Sequence, residues 1–105
     1  MRIGCQARAL ENQCYVVHAT TVGSAPWSEA IDVNIGAAGV YAPPEQGFSD
    51  TGVVALGEMN TASWVYADID MQRIEAVRAN GQVLNHRDGA QQVQFSTAIA
   101  RRIAL

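Results

Sequence analysis

The chain has 105 residues, enough for one small domain, and 49% of them are hydrophobic while 16% are charged. This balance argues against disorder, and a net charge of −3 without any lysine excludes the basic stripe that nucleic-acid binding needs. No apolar run approaches the roughly 18 residues of a membrane span, and the first residues lack a signal-peptide core. We therefore expect a cytoplasmic protein without nucleic-acid or membrane partners, in which Cys5 and Cys14 are thiols.

Residues 2–13 have the pattern of a helix and residues 15–22 that of a strand. The helical spacing of four apolar residues predicts that they form its packed face: Ile3, Ala7, Leu10 and Cys14. The strand residues form a nearly continuous apolar and β-branched run, which is typical of a strand covered on both faces. A helix that leads directly into such a strand predicts a layered α/β protein.

A long loop is expected over residues 23–39, which are rich in glycine and other small or polar residues. Trp27 in this loop is either a lid over a pocket or a plug on the core, and the plug is favoured because tryptophan usually supplies buried area. Strands are predicted at 40–42, 52–56 and 63–69. The short turns between them favour an antiparallel meander.

The C-terminal part begins with a second helix over 71–79, for which Asp70 is a good N-cap and Gly81 a stop signal. Residues 82–92 are polar and are predicted to be extended or irregular. Residues 93–105 have weak helical spacing and are treated as a C-terminal tail. The predicted domain therefore covers residues 1–92.

The segment Arg8–Val17, Arg-Ala-Leu-Glu-Asn-Gln-Cys-Tyr-Val-Val, resembles the Arg-Ala-x-Glu-Asn segment of the nitrilase superfamily, the carbon–nitrogen hydrolases. Further segments agree in the same order: 22–23, 37–43, 52–55, 68–70, 77–78 and 85–88. The resemblance covers about residues 2–92 and corresponds to the C-terminal part of that family's longer catalytic domain. It implies part of an α-β-β-α sandwich, with about four strands and two to three helices.

The resemblance also implies a chemistry, because this family hydrolyses amides or nitriles with a Glu base, a Lys that stabilises the oxyanion and a Cys nucleophile. All three lie upstream of the matched segment in the family, and this chain contains no lysine. We therefore assign no catalytic, cofactor-binding or metal-binding residue and expect the isolated chain to be inactive. Gly89 departs from the family's pattern, which has a bulkier residue or proline there.

Several side chains could carry chemistry, but each has a structural interpretation that we favour. Cys5 is expected to pack within the helix, and Cys14 to be a buried, inert thiol. Glu11 is expected to pin the end of the helix to a loop by hydrogen bonds. His18 is interpreted as a core histidine with its hydrogen bonds satisfied, and His86 as part of a surface ion cluster with its two neighbours.

Two pairings are considered and not favoured. Cys14 and His18 are separated by about 13 Å along a strand, which is too far for a catalytic dyad. Asp68 and Asp70 could act as an acid–base pair, but a helix cap plus a charge near the helix start is the simpler interpretation. The scattered histidines, cysteines and aspartates have no metal-ligand spacing.

Three hypotheses follow for function. The first is a fragment of an amidase- or nitrilase-like hydrolase, for which a small amide or nitrile is a partner only in the complete domain. The second is a non-catalytic interaction module that forms a homo-oligomer or pairs with a full-length relative, through the helix containing residues 8–12 or an exposed sheet edge. The third is an independent small binding domain in which Trp27 and Trp64 line a pocket.

Overall fold

A computed structural model describes residues 1–91 of the chain, and the predicted tail at 93–105 lies outside them. The described elements are α1 (Arg2–Asn12), β1 (Val16–His18), β2 (Gly23–Ser24), β3 (Val33–Asn34), β4 (Gly39–Tyr41), β5 (Val53–Leu56), α2 (Met71–Asn80) and α3 (Asn85–Asp88). The strands form two antiparallel sheets, one in the order β1-β4-β5 and one hairpin of β2 and β3. The predicted α/β class is therefore confirmed for the described part, which is consistent with a partial α/β fold. In that part no helix has the length and apolar character needed to cross a membrane.

The core lies between α1 and the three-stranded sheet, whose central strand β4 is buried at all three positions. Tyr41 of β4 packs with Cys5 and Ala9 of α1, and Val16 and Val53 from the two flanking strands pack against this cluster. Because side chains alternate along a strand, these three strand residues share the face that α1 covers. One layer of helix on one layer of sheet therefore encloses most of the core.

The prediction of which face of α1 packs is wrong. The buried helical residues are Cys5 and Ala9, followed by Gln13 one turn later, whereas Ile3 is 81% exposed and Leu10 also remains exposed. Both sets have helical spacing, so periodicity alone marks two apolar faces without telling which one the sheet covers. The helix consequently packs on the sheet with one face and presents a second apolar face to solvent.

The end of α1 is the point at which the C-terminal helices are attached. Gln13 ends the helix in the left-handed region (φ 49°), and its backbone carbonyl accepts a hydrogen bond of 2.8 Å from Nε of Arg78 in α2. The Glu11 carbonyl accepts another, of 3.2 Å, from Nδ2 of Asn85 in α3. Carbonyls that α1 cannot satisfy internally are thus satisfied by the following helices.

Helix α2 agrees closely with its prediction. The Asp70 carboxylate accepts a hydrogen bond of 3.1 Å from the Arg73 backbone N–H, as expected of an N-cap. Ile74 and Val77 are buried, as their spacing of three requires, and the Gly81 N–H bonds the Val77 carbonyl where the helix ends. The predicted stop is confirmed, although Gly81 adopts an extended rather than a left-handed conformation.

Four segments differ from the sequence-based expectations. The predicted strand at 15–22 is reduced to the three residues of β1, and its Val17 is 72% exposed, so that one face is not covered. Residues 23–39 contain the β2–β3 hairpin, and 82–92 contain α3. In residues 63–69 Val65 and Ala67 are half-buried as predicted but Ile69 is exposed, and the segment pairs with no other strand of the described part. Whether a segment forms a β-strand depends on a neighbouring segment to which it can hydrogen-bond. The local sequence pattern does not show whether such a neighbour is present.

Candidate functional site

A cavity of about 570 Å³ lies on the α1 side of the sheet, beside the first residues of α1. Val16, Tyr41 and Val53 lie side by side on the sheet face that α1 covers. The cavity lies farther along the same face, toward the other end of the strands, where α1 no longer covers the sheet. Its lining combines apolar side chains with four polar ones: Met1, Ile35, Ala37, Leu56 and Met59, with Arg2, His18, Thr20 and Tyr41. This size and this mixture are typical of small-molecule sites.

Three glycines at or near the cavity leave room for neighbouring side chains. A Cβ at Gly36 would lie 2.8 Å from the Thr20 methyl group, and a Cβ at Gly57 would lie 2.8 Å from a Val65 methyl group. At Gly39 a Cβ would lie 2.6 Å from the Tyr41 hydroxyl, so the absence of a side chain lets the ring lie along the strand. The local sequence Gly39-Val40-Tyr41 therefore places the phenol at the cavity.

Tyr41 is the most enclosed polar group of this site. The residue is only 1% exposed, and within residues 1–91 its hydroxyl makes no hydrogen bond although it lines the cavity. Burial raises the pKa of Tyr41 above its ordinary value, the neighbouring Cys5 thiol adds to the rise, and the positive charge of Arg2 offsets part of it. A neutral hydroxyl is therefore available there as a hydrogen-bond donor.

His18 also lines this cavity and is half-buried. Its Nδ1 atom is shielded from solvent and has no hydrogen-bond partner among the residues described. The prediction of a satisfied core histidine is therefore wrong for this part of the protein. A buried imidazole nitrogen without a partner is energetically costly.

The two cysteines do not form part of the cavity lining. Cys5 is buried between α1 and Tyr41, in agreement with a packed helix residue. Cys14 follows Gln13 at the join to β1 and is only half-buried, so the expected full burial is wrong. Both are free thiols.

Glu11 does not pin the helix end to a loop as predicted. Its carboxylate forms an ion pair of 2.8 Å with Arg8 one turn earlier, and both side chains are largely exposed. The groups that hold the helix end are instead the Gln13 backbone and the side chains of Arg78 and Asn85. The sequence pattern did not indicate Arg78 and Asn85 because both residues are far from α1 along the chain.

The remaining charged candidates have structural positions. Asp70 caps α2, whereas Asp68 is exposed, so the capping interpretation of this pair is confirmed for Asp70. Arg87 and Asp88 form an ion pair of 2.8 Å, and His86 beside them is exposed without taking part in it. Across residues 1–91 no three His, Cys, Asp or Glu side chains are grouped to hold a metal ion.

The tryptophans are on the surface. Trp27 is 81% and Trp64 is 86% exposed, so the expected core plug at Trp27 is wrong. Trp64 borders a smaller cavity of about 290 Å³ over Val17 and Val40, on the sheet face opposite α1, and Trp27 does not line it. This placement weakens the hypothesis of a pocket built by both indoles.

Sequence pattern did not single out Arg2 and Tyr41, which with His18 form the polar part of the cavity. A usable signal was present in Gly39-Val40-Tyr41, because alternation puts the glycine and the tyrosine on the same face of the strand. Arg2 carried no such signal, since it approaches the sheet only through the packing of α1.

Comparison with known proteins gives one curated relative. The chain is 35% identical over 88 residues to a protein of Bacillus subtilis (strain 168) named "Probable hydrolase YhcX". The match covers 84% of this chain but only 17% of that protein, so the chain corresponds to a small part of it. No family profile matches the chain. No solved structure is significantly similar to it.

Proposed function

We propose that this chain is the C-terminal part of a carbon–nitrogen hydrolase domain, of the amidase or nitrilase class, and that it does not catalyse hydrolysis alone. The observation that carries the proposal is the 35% identity to a protein named as a hydrolase. The ordered resemblance to the nitrilase superfamily supplies the finer class. In that class the nucleophile, the base and the lysine would come from segments outside this chain.

The geometry supports the second half of the proposal. Acyl transfer through cysteine needs an accessible thiol with a base within hydrogen-bond reach. Cys5 is enclosed by Ala9 and Tyr41, and Cys14 lies at a helix end rather than on a strand-to-helix elbow. The chain also has no lysine that could stabilise an oxyanion. It therefore contributes structure and part of a pocket rather than the reacting groups.

The purified chain tests the claim of inactivity. Incubated with simple aliphatic amides and nitriles, it is expected to release no ammonia above background. Turnover that disappears in Cys5→Ala or Cys14→Ala would contradict the proposal.

The hydrolase class itself is tested by a chimera. In the Bacillus subtilis relative, the matching 88-residue segment is replaced by that of this chain, and parent and chimera are assayed on the same amides and nitriles. We expect both to hydrolyse at least one of them. A parent without activity on either class would contradict the carbon–nitrogen assignment, and a folded but inactive chimera beside an active parent would contradict the equivalence of the segments.

One observation favours a second candidate, a non-catalytic interaction module. Helix α1 exposes the apolar side chains of Ile3 and Leu10, with the half-buried Ala7 between them, on a face other than its packed one. A solvent-facing apolar stripe on a helix is commonly an association surface. A second copy of the chain, or a longer relative, would cover it.

A further inference from the structure

Three polar groups meet at the α1-side cavity without partners. Within the described residues, the Arg2 guanidinium makes no ion pair or hydrogen bond, the Tyr41 hydroxyl makes none, and His18 Nδ1 is enclosed without one. Buried hydroxyls of tyrosine normally find a partner, and most polar atoms in protein interiors do. Arg2 is exposed, so its guanidinium and the Tyr41 hydroxyl at the wall of the 570 Å³ space are the groups with which a bound molecule would pair.

The kind of partner follows from the donors. A guanidinium carries only N–H donors, and a neutral phenol donates one O–H. The Tyr41 phenol is neutral at physiological pH, so it offers a donor beside the positive charge of Arg2. A group with acceptor oxygens and a negative charge satisfies both, and a planar carboxylate suits the fork of the guanidinium.

The apolar residues that line the cavity indicate the chemistry of the rest of the ligand. Ile35, Leu56 and Met59 contribute apolar surface, and among residues 1–91 no carboxylate side chain lines the cavity to repel an anion. A small organic body next to the carboxylate would bury this apolar surface. The cavity volume is sufficient for an acid with several carbon atoms or one aromatic ring.

We propose that this cavity binds a small monocarboxylic acid in its ionised form, with the carboxylate between Arg2 and Tyr41 and the apolar body against Ile35, Leu56 and Met59. His18 borders the same space and orients the bound acid. The site uses residues of this chain only, so it does not depend on the hydrolase assignment.

The test is calorimetric titration of the full 105-residue chain with 3-phenylpropanoate and with its neutral isostere 3-phenylpropanamide. The carboxylate is expected to bind at least about fivefold more tightly than the amide, since only it can form the charge-assisted pair with Arg2. Arg2→Gln and Tyr41→Phe should each weaken carboxylate binding by about fivefold or more. Arg8→Gln is the matched control, because it removes the same charge from an exposed position of α1 that does not line the cavity and should leave binding unchanged.

A second readout needs no variant. Phenylglyoxal modifies accessible arginines, and peptide mass analysis reports each site separately. The bound carboxylate should protect Arg2 but not Arg8. Equal affinity for acid and amide, no binding of either, unchanged affinity in Arg2→Gln, or equal modification of both arginines with and without ligand would overturn the proposal.

Discussion

Individual residues of this protein are held by partners far away in the chain. Glu45 is the clearest example, since it is a buried carboxylate that sequence pattern did not mark. Its oxygens accept hydrogen bonds from the backbone N–H groups of Gln82 and Val83, at 2.9–3.2 Å. These residues follow Gly81, at which α2 ends, so one side chain connects the loop after β4 to the end of that helix. Charge-assisted bonds of this kind are among the stronger ones in proteins.

Glu45→Ala is expected to destabilise the fold by about 1–3 kcal/mol, because two enclosed N–H groups lose their acceptor. Urea unfolding followed by circular dichroism measures the change. Glu58→Ala removes the same charge at an exposed position and should shift the midpoint little. Equal effects of the two variants would contradict this role for Glu45.

The raised pKa of the single residue Tyr41 leads us to expect that the stability of the protein depends on pH. Its folded pKa is raised, chiefly by burial, above an unfolded value of about 10. The stability this contributes is complete below about pH 10 and is lost as the pH rises through the folded pKa. Between about pH 9 and 11 the Tm of the wild type should therefore fall more steeply than that of Tyr41→Phe. Tyr66→Phe changes an exposed ring and should keep the wild-type slope; equal slopes in all three proteins would refute the prediction.

At the scale of elements, the end of α1 is where the N- and C-terminal parts of the described chain are connected. The Gln13 carbonyl accepts a hydrogen bond from Arg78 of α2, and the Glu11 carbonyl accepts one from Asn85 of α3. The Arg8–Glu11 ion pair nearby is exposed and lies within one turn of the same helix. Such surface pairs contribute little, since solvent screens them.

Arg78→Ala should therefore destabilise the protein by about 1.5–3 kcal/mol, the usual range for a hydrogen bond from a charged donor. Glu11→Ala should cost about 0.5 kcal/mol or less. Thermal and urea unfolding of both variants against the wild type provide the measurement. A loss for Glu11→Ala as large as that for Arg78→Ala would restore the original sequence-based expectation that the Glu11 side chain holds the helix end.

At the scale of the whole molecule, the core is small for the amount of apolar surface. The Cα radius of gyration is 18.8 Å, whereas a compact domain of about 100 residues has about 13 Å. Apart from tyrosine, the large apolar side chains buried in the described part are few, and many others are exposed, including Ile3, Val17 and Leu56. One helical layer on one face of a sheet leaves the other face and the outer side of α1 open.

The chain should therefore not behave as a monomer in solution. Size-exclusion chromatography with light scattering at micromolar concentration is expected to give a mass above the 11.2 kDa of one chain. Leu10→Glu should lower that mass by charging the exposed stripe of α1, whereas Gln72→Glu on the exposed side of α2 should not. A single peak at 11.2 kDa with cooperative unfolding would show that the chain closes its own core.

The sequence by itself determined the features that depend on local chemistry. Helices α1 and α2 lie within one residue of their predicted limits, Asp70 caps as its side chain allows, and β4 and β5 lie within one residue of the strands predicted at 40–42 and 52–56. These features follow from interactions between residues a few positions apart.

Only the tertiary structure decided which of two apolar faces of α1 packs, that 63–69 finds no strand partner among the described residues, and that Arg2, His18 and Tyr41 meet at one cavity. Each of these depends on groups brought together from distant parts of the chain. Pairing and burial are properties of both partners, and the pattern of one segment contains information about only one of them.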